Sequence, residues 1–228
     1  MTIKERLENI NSNIASACAR SGRSVEGVKL IAVTKTRTPK EINEAISLGI
    51  DTVGENRVQE LLSKYDEIDK TASIHLIGQL QTNKVKYIID KVSVIQSLDR
   101  ISLADELEKE CKKRNIKEIK TLIEVNIGQE STKSGIFASD LKEFLDKLMN
   151  LLYIKPIGLM TVAPADATEK EQMYYFEQMR ALLDVGKAYY GEAFSELSMG
   201  MSRDYESAIK QGATMVRLGT ALFGERFY

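Results

Sequence analysis

A lysine that ends an apolar run is the first residue in this chain that invites a chemical reading. The stretch Lys29-Leu30-Ile31-Ala32-Val33-Thr34-Lys35-Thr36 is rich in β-branched side chains, has strand length, and stops at Lys35. Strand side chains alternate, so Ile31, Val33 and Lys35 share one face. If that face lines a closed sheet, Lys35 stands at its rim above a dry floor of Val33 and Ile31. Burial disfavours the ammonium form, and a neutral, fixed amine is what Schiff-base chemistry with an aldehyde needs. The plainer reading is a solvated lysine after a strand, so the rest of the chain decides.

Two later segments add an anion site. Ser198-Met199-Gly200-Met201-Ser202-Arg203-Asp204 and Arg217-Leu218-Gly219-Thr220-Ala221-Leu222 each place glycine and a hydroxyl at an expected helix start. Helix N-termini offer free N–H groups and a positive dipole end, and glycine lets backbone approach an anion. Ordinary N-capping by Ser202 and Thr220 explains either segment alone; two adjacent segments of this kind favour phosphate. Met215, Arg217 and Gly219 share parity, opposite to Val216 and Leu218. Arg217 therefore points into the sheet's interior if the aliphatic pair faces outward. A buried arginine needs an acceptor, either a rim acid such as Glu55 or a ligand. Met160, Met199 and Met201 read as packing, with Met199 placed to touch a ring.

The elements that must position these groups alternate. Ile3, Leu7, Ile10 and Ile14 recur at helical spacing and predict a leading helix within residues 1–22. Strand-like runs then follow at 29–35, 50–53, 73–77, 92–96, 120–127, 154–160, 196–199 and 213–218, each trailed by a helical pattern. Thr38-Pro39-Lys40-Glu41 is a capping box with proline at the first helical position. About eight βα units in strict alternation predict a parallel sheet closed into a (β/α)8 TIM barrel. The rival open, doubly wound sheet lacks its usual Gly-x-Gly-x-x-Gly run. No linker divides the chain, so residues 1–228 read as one domain, with the leading helix covering the barrel's closed end. The chain finishes at Phe227-Tyr228, just past the last unit.

In such a barrel the active site lies where the strands end. That rim gathers Lys35, Glu55, Asn56, Gly78, Gln79, Ser97, Asp99, Asn126, Thr161, Gly200, Ser202, Gly219 and Thr220. Loops after the last two strands are the usual phosphate site in this architecture.

Composition excludes other classes. Net charge is −1, so no overall basic field recruits nucleic acid. The basic run Lys109 to Arg114 lies on a helical pattern and reads as a solvated face. Cys18 and Cys111 have no ligand spacing and read as helix residues, and the single histidine, His75, reads as a satisfied core side chain. No signal peptide or membrane-length apolar run is visible, which fits a cytoplasmic protein.

The motifs Ala32-Val33-Thr34-Lys35-Thr36, Gly54-Glu55-Asn56-Arg57-Val58-Gln59-Glu60 and His75-Leu76-Ile77-Gly78-Gln79-Leu80-Gln81-Thr82-Asn83-Lys84 belong together. With them go Glu130-Ser131-Thr132-Lys133-Ser134-Gly135, Gly158-Leu159-Met160-Thr161, the serine-methionine-glycine segment and Val216 to Gly224. Over almost its whole length the sequence resembles the pyridoxal 5'-phosphate (PLP) homeostasis protein family, single-domain relatives of the alanine racemase barrel. The resemblance implies that Lys35 forms the internal aldimine with PLP. It puts the phosphate near Ser202, Gly219 and Thr220, Arg217 at the pyridine nitrogen, and Asn56 beside the ring. Family members often carry an aromatic residue where Ile74 stands and a histidine where Gln79 stands.

A lysine, a phosphate cradle and an inward arginine on one mouth are the parts a PLP site needs. An arginine at the pyridine nitrogen leaves it unprotonated and weakens carbanion stabilisation. The leading expectation is thus a monomeric carrier or buffer of PLP that releases it to PLP-dependent apo-enzymes by imine exchange, with little turnover of its own. The alternatives are an amino-acid racemase or lyase of narrow range, and a cofactor-free Schiff-base aldolase. The first would exchange α-protons with solvent; the second would be colourless.

Overall fold

Eight parallel strands close on themselves in sequence order. They are β1 (Lys29–Val33), β2 (Thr52–Glu55), β3 (Ser73–Leu76), β4 (Val94–Leu98), β5 (Ile119–Glu124), β6 (Ile154–Met160), β7 (Glu196–Ser198) and β8 (Met215–Leu218). The helices are α1 (Ile3–Arg20), α2 (Pro39–Ser47), α3 (Val58–Lys64), α4 (Val85–Ile88), α5 (Ile101–Arg114), α6 (Leu141–Leu148), α7 (Glu169–Tyr190), α8 (Tyr205–Lys210) and α9 (Thr220–Phe223). This computed structural model describes residues 1–225, so the expected chain end at Phe227-Tyr228 lies outside the described residues. The barrel shuts where β1 pairs with β8, Lys29 opposite Met215 and Ala32 opposite Leu218.

Strand alternation sorts the side chains into two layers. Ile31, Val94, Leu122, Met160 and Met215 fill the hollow. Ala32, Val53, Ile95, Ile123, Val216 and Leu218 face outward into the layer shared with the helices. The parity read from the sequence for Met215 and Arg217 against Val216 and Leu218 is the observed one. Apolar filling from alternate strands makes the interior a packed core, leaving room for ligands only at the ends.

The helices start where local chemistry says. Thr38 accepts from the Glu41 N–H while the Glu41 carboxylate accepts from the Thr38 N–H, and Pro39 opens α2. Thr168 and Glu171 cap α7 in the same way. On α1, Ile3, Leu7, Ile10 and Ile14 are buried, each contributing about 2 kcal/mol by apolar transfer. Their place differs from the expected one. α1 packs against α8 and α9 in the outer layer, tied by an Asn13–Tyr205 hydrogen bond of 3.1 Å and an Arg20–Glu206 ion pair of 2.7 Å. The end of the barrel where strands begin keeps a cavity of about 270 Å³ whose lining includes Lys29, His75, Lys120 and Glu196 and no α1 residue. The apolar stripe of α1 needs an apolar partner, and the helical layer offers one whereas that charged end does not.

Cys18 and Cys111 are buried free thiols on α1 and α5. The basic run on α5 is laced by ion pairs to Glu106, Glu110 and Asp90. Among the described residues, no helix is long and apolar enough to cross a membrane.

Candidate functional site

β1 ends at Val33, and Lys35 stands in the turn beyond it, half-buried. Thr36 follows with φ 63°, so the chain doubles back at once toward α2. Val33 and Lys35 line a cavity of about 290 Å³ at the strands' C-terminal ends, together with Ser202, Arg217, Gly219 and Thr220. The turn is held from below. Lys64 on α3 reaches under it, donating to the carbonyls of Thr34 at 2.8 Å and Arg37 at 3.4 Å. The same ammonium pairs with Glu55 at 2.7 Å and Glu60 at 3.0 Å. Thr34 donates its hydroxyl to Glu55, and the Thr36 N–H donates to Glu60. Burial pushes the Glu55 carboxyl up, with Lys64 and Thr34 pulling it back.

The two segments expected to cradle phosphate meet as two loops, not as two separate caps. Ser202 lies in a turn before α8, which begins at Tyr205, so it does not cap that helix. Its hydroxyl oxygen instead accepts the Ala221 N–H of α9 at 3.2 Å. Gly219 occupies the N-cap position of α9, and Thr220 is the exposed first residue. Gly200, with φ 92°, turns the chain between β7 and this loop. Its carbonyl accepts from the Arg217 N–H at 3.0 Å. Asp204 accepts from the Met201 N–H at 2.5 Å and so fixes the loop from inside; burial raises its carboxyl.

Arg217 is 4% exposed. One guanidinium nitrogen donates to the Ser198 hydroxyl at 2.6 Å and another to the Thr161 carbonyl at 2.7 Å. Glu55, the rim acid that was one of its two expected acceptors, is engaged by Lys64 instead. Burial pulls the guanidinium down to about 10, with Asp204 and Glu124 opposing. Neutral acceptors leave its charge available to the cavity it lines.

Not every expected residue joins this group. Met199 is fully buried in the outer core, because Ser198 points inward and its neighbour must point out. Met201 lines the cavity in its place. Asn56 is half-buried after β2 and is absent from the cavity lining; its side-chain oxygen is buried with no partner among the described residues. Its carbonyl presses on Gly78, where a Cβ would stand 2.2 Å away. Asn126 holds the 128–135 loop, its amide donating to the Glu130 carbonyl at 2.8 Å and accepting the Glu130 N–H at 3.1 Å. His75 is the satisfied core histidine expected, at 2% exposure and 2.9 Å from Gln96.

The cavity also takes in Arg37, Pro164, Gln172, Arg203 and Asp204. Arg203 and Asp204 lie within the serine-methionine-glycine segment, so its length was the signal. Gln172 on α7 had none. Lys35, Arg37, Arg203 and Arg217 stand against Asp204 alone, a lining suited to an anionic ligand. The structure thus sets a strand-end lysine, a buried inward arginine and two glycine-bearing loops around one cavity of a closed parallel barrel.

The barrel and its sequence have known relatives. The family model for the alanine racemase N-terminal domain matches residues 6–227. The pyridoxal phosphate homeostasis protein of Aquifex aeolicus is 46% identical over 229 residues, covering all of both chains. PipY of Synechococcus elongatus, solved with PLP bound, superposes with a TM-score of 0.85 at 32% identity, covering 98% of this chain and all of that one. Alanine racemase of Corynebacterium glutamicum shares the fold alone: TM-score 0.70, 16% identity, 96% of this chain and 61% of that chain. The chain belongs to the pyridoxal phosphate homeostasis protein family, within the alanine racemase N-terminal domain fold.

Proposed function

We propose that this protein holds PLP at Lys35 and hands it on, with little turnover of its own. The observation that carries the reading is the convergence of Lys35, Arg217, Ser202, Gly219 and Thr220 on one cationic cavity. PLP fits these donors: an amine for its aldehyde, a hydroxyl and helix-start N–H groups for its phosphate, and an arginine for its ring nitrogen. Bound there, PLP supplies an aldehyde carbon that an amine captures reversibly. Asn56 and Met199, expected beside the ring, are not among the lining residues and carry no part of this proposal. The PLP-bound Synechococcus relative and the names of the curated relatives support the same reading.

The non-catalytic part rests on what the lining side chains can do. Arg217 donates hydrogen bonds and cannot act as a base. Asp204, the carboxylate among the described lining residues, accepts the Met201 N–H through one oxygen, which ties it to its own loop. Lys35 itself is spent on holding the ligand. Release then proceeds by exchange with another amine, such as a lysine of a PLP-dependent apo-enzyme. We read the working unit as a single-domain monomer across residues 1–228, since the residues that line the cavity come from both ends of one closed barrel's sequence. A cytoplasmic setting suits its two free, buried thiols.

The test is borohydride reduction followed by intact mass and peptide mapping. A PLP-sized adduct on Lys35 is expected, lost in Lys35→Ala. Equal labelling of that variant would refute the assignment. Rapid α-proton exchange of any amino acid in heavy water would instead favour a racemase.

A further inference from the structure

A line of polar side chains runs through the apolar hollow from one end of the barrel to the other. Arg217 on β8 donates to the Ser198 hydroxyl on β7 at 2.6 Å. Ser198 donates to the Gln96 side-chain oxygen on β4 at 2.7 Å. The Gln96 amide nitrogen lies 2.9 Å from Nδ1 of His75 on β3. All four side chains are buried, at 4%, 0%, 0% and 2% exposure. Arg217 lines the cavity of Lys35, whereas His75 lines the cavity at the opposite end.

Donor chemistry gives this line one direction. A guanidinium only donates, so Ser198 accepts from Arg217, and its own proton goes to the Gln96 side-chain oxygen that faces it. That fixes the Gln96 amide with oxygen toward Ser198 and nitrogen toward His75. Nδ1 of His75 must then accept, which places the ring proton on Nε2. Ile31, Val94, Leu122, Met160 and Met215 fill the surrounding hollow, so a broken link between Ser198 and Gln96 leaves a polar group among apolar side chains. The charged groups acting on His75 are Lys29, Asp51 and Lys120, and Glu118 and Glu196 share its cavity.

We infer that Gln96 and His75 are positioning residues that hold Arg217, through Ser198, at the angle the cofactor ring nitrogen requires. The inference rests on the PLP reading above. Its consequence is that loading the cofactor at one mouth alters the imidazole near the other.

The chain has a single histidine, so its ring nitrogen NMR signals need no assignment. At neutral pH the neutral Nε2–H tautomer is expected. The Nδ1 signal should move when PLP is added to protein freed of it, and stay put in Arg217→Met. A charged ring, an Nδ1–H tautomer, or a signal indifferent to PLP overturns the inference. Binding gives a second reading. Gln96→Leu should weaken PLP about tenfold. In an Arg217→Met background it should do nothing; equal losses in both backgrounds would mean general packing damage and defeat the proposal. His75→Gln, which keeps an acceptor for Gln96, should bind like the parent, and His75→Leu like Gln96→Leu; the reverse order defeats it too. Borohydride labelling of Lys35 in the parent separates the two readings: no adduct condemns the cofactor, while the tautomer still judges the relay.

Discussion

Lys64 and Glu55 lie 2.7 Å apart in the interior, with side chains 5% and 0% exposed, directly beneath the turn that carries Lys35. The pair does more than neutralise itself, because the ammonium also donates to the carbonyl of Thr34, next to Lys35. Removing one partner strands a buried charge; removing both need not. Lys64→Met is therefore expected to cost about 3–5 kcal/mol in urea unfolding. The double variant Lys64→Met, Glu55→Gln should recover much of that loss while still binding PLP more weakly than the parent. Full recovery of PLP affinity in the double variant would show that the pair does not seat the Lys35 turn.

Gly200 has a backbone that side chains resist. Its φ of 92° falls where residues with a Cβ are strained, and an added Cβ would stand 2.6 Å from that of Ala208. Gly200→Ala should cost about 1–3 kcal/mol from the backbone alone. Relief of the clash shifts the Met201–Ser202 loop, so PLP affinity should fall along with the melting temperature. Thermal melts with and without PLP check this: a variant that melts lower yet keeps its full PLP-induced gain would dissociate the loop from the site.

The barrel was legible because it rests on local rules. Alternating apolar runs, the capping box at Thr38, and the parity around Arg217 are each set by neighbours in sequence. What escaped depends on distant partners. On α3 the spacing of Val58 and Leu61 marks the inner face, yet nothing local says that Lys64 takes a buried place beside them, which it does because Glu55 waits there. Ser202 looked like a cap for its own helix and instead serves Ala221, a contact between two loops. Met199 packs in the core as read, and the parity that keeps it from the cavity has a nearer source. Ser198 points inward to Arg217, and that parity was available in the sequence. Gln96 carried a similar unread signal, standing two residues from the inward Val94.

His75 makes folding stability depend on pH in a definite direction. Burial, aided by Lys29 and Lys120, pulls its folded pKa from 6.5 to about 3. Between those values the unfolded chain holds the extra proton and the folded chain does not, so stability rises with pH through that window. From pH 7 down to pH 5 the imidazole should remove up to about 1.4 kcal/mol per pH unit once below its unfolded pKa. Carboxylates titrate in both proteins, so the readout is the difference between the parent and His75→Gln. Urea midpoints at pH 7, 6 and 5 should fall more steeply for the parent. Parallel curves would mean that His75 is accessible to protons in the folded state.

Ser202 offers the sharpest check on how the anion cradle works. Its oxygen accepts the Ala221 N–H at 3.2 Å and so caps α9 from another loop, while its hydroxyl proton remains for a ligand. Ser202→Ala should lose the capping contact, worth about 1 kcal/mol, and one donor to the phosphate. The two losses separate by choice of ligand. PLP and pyridoxal share the ring and aldehyde and differ in the phosphate. The variant should bind PLP about tenfold more weakly, the effect of one charge-assisted hydrogen bond, and pyridoxal nearly as the parent does. Equal weakening toward both ligands would place the damage in the Lys35 side of the cavity, and the phosphate would have to be sought away from the α9 start.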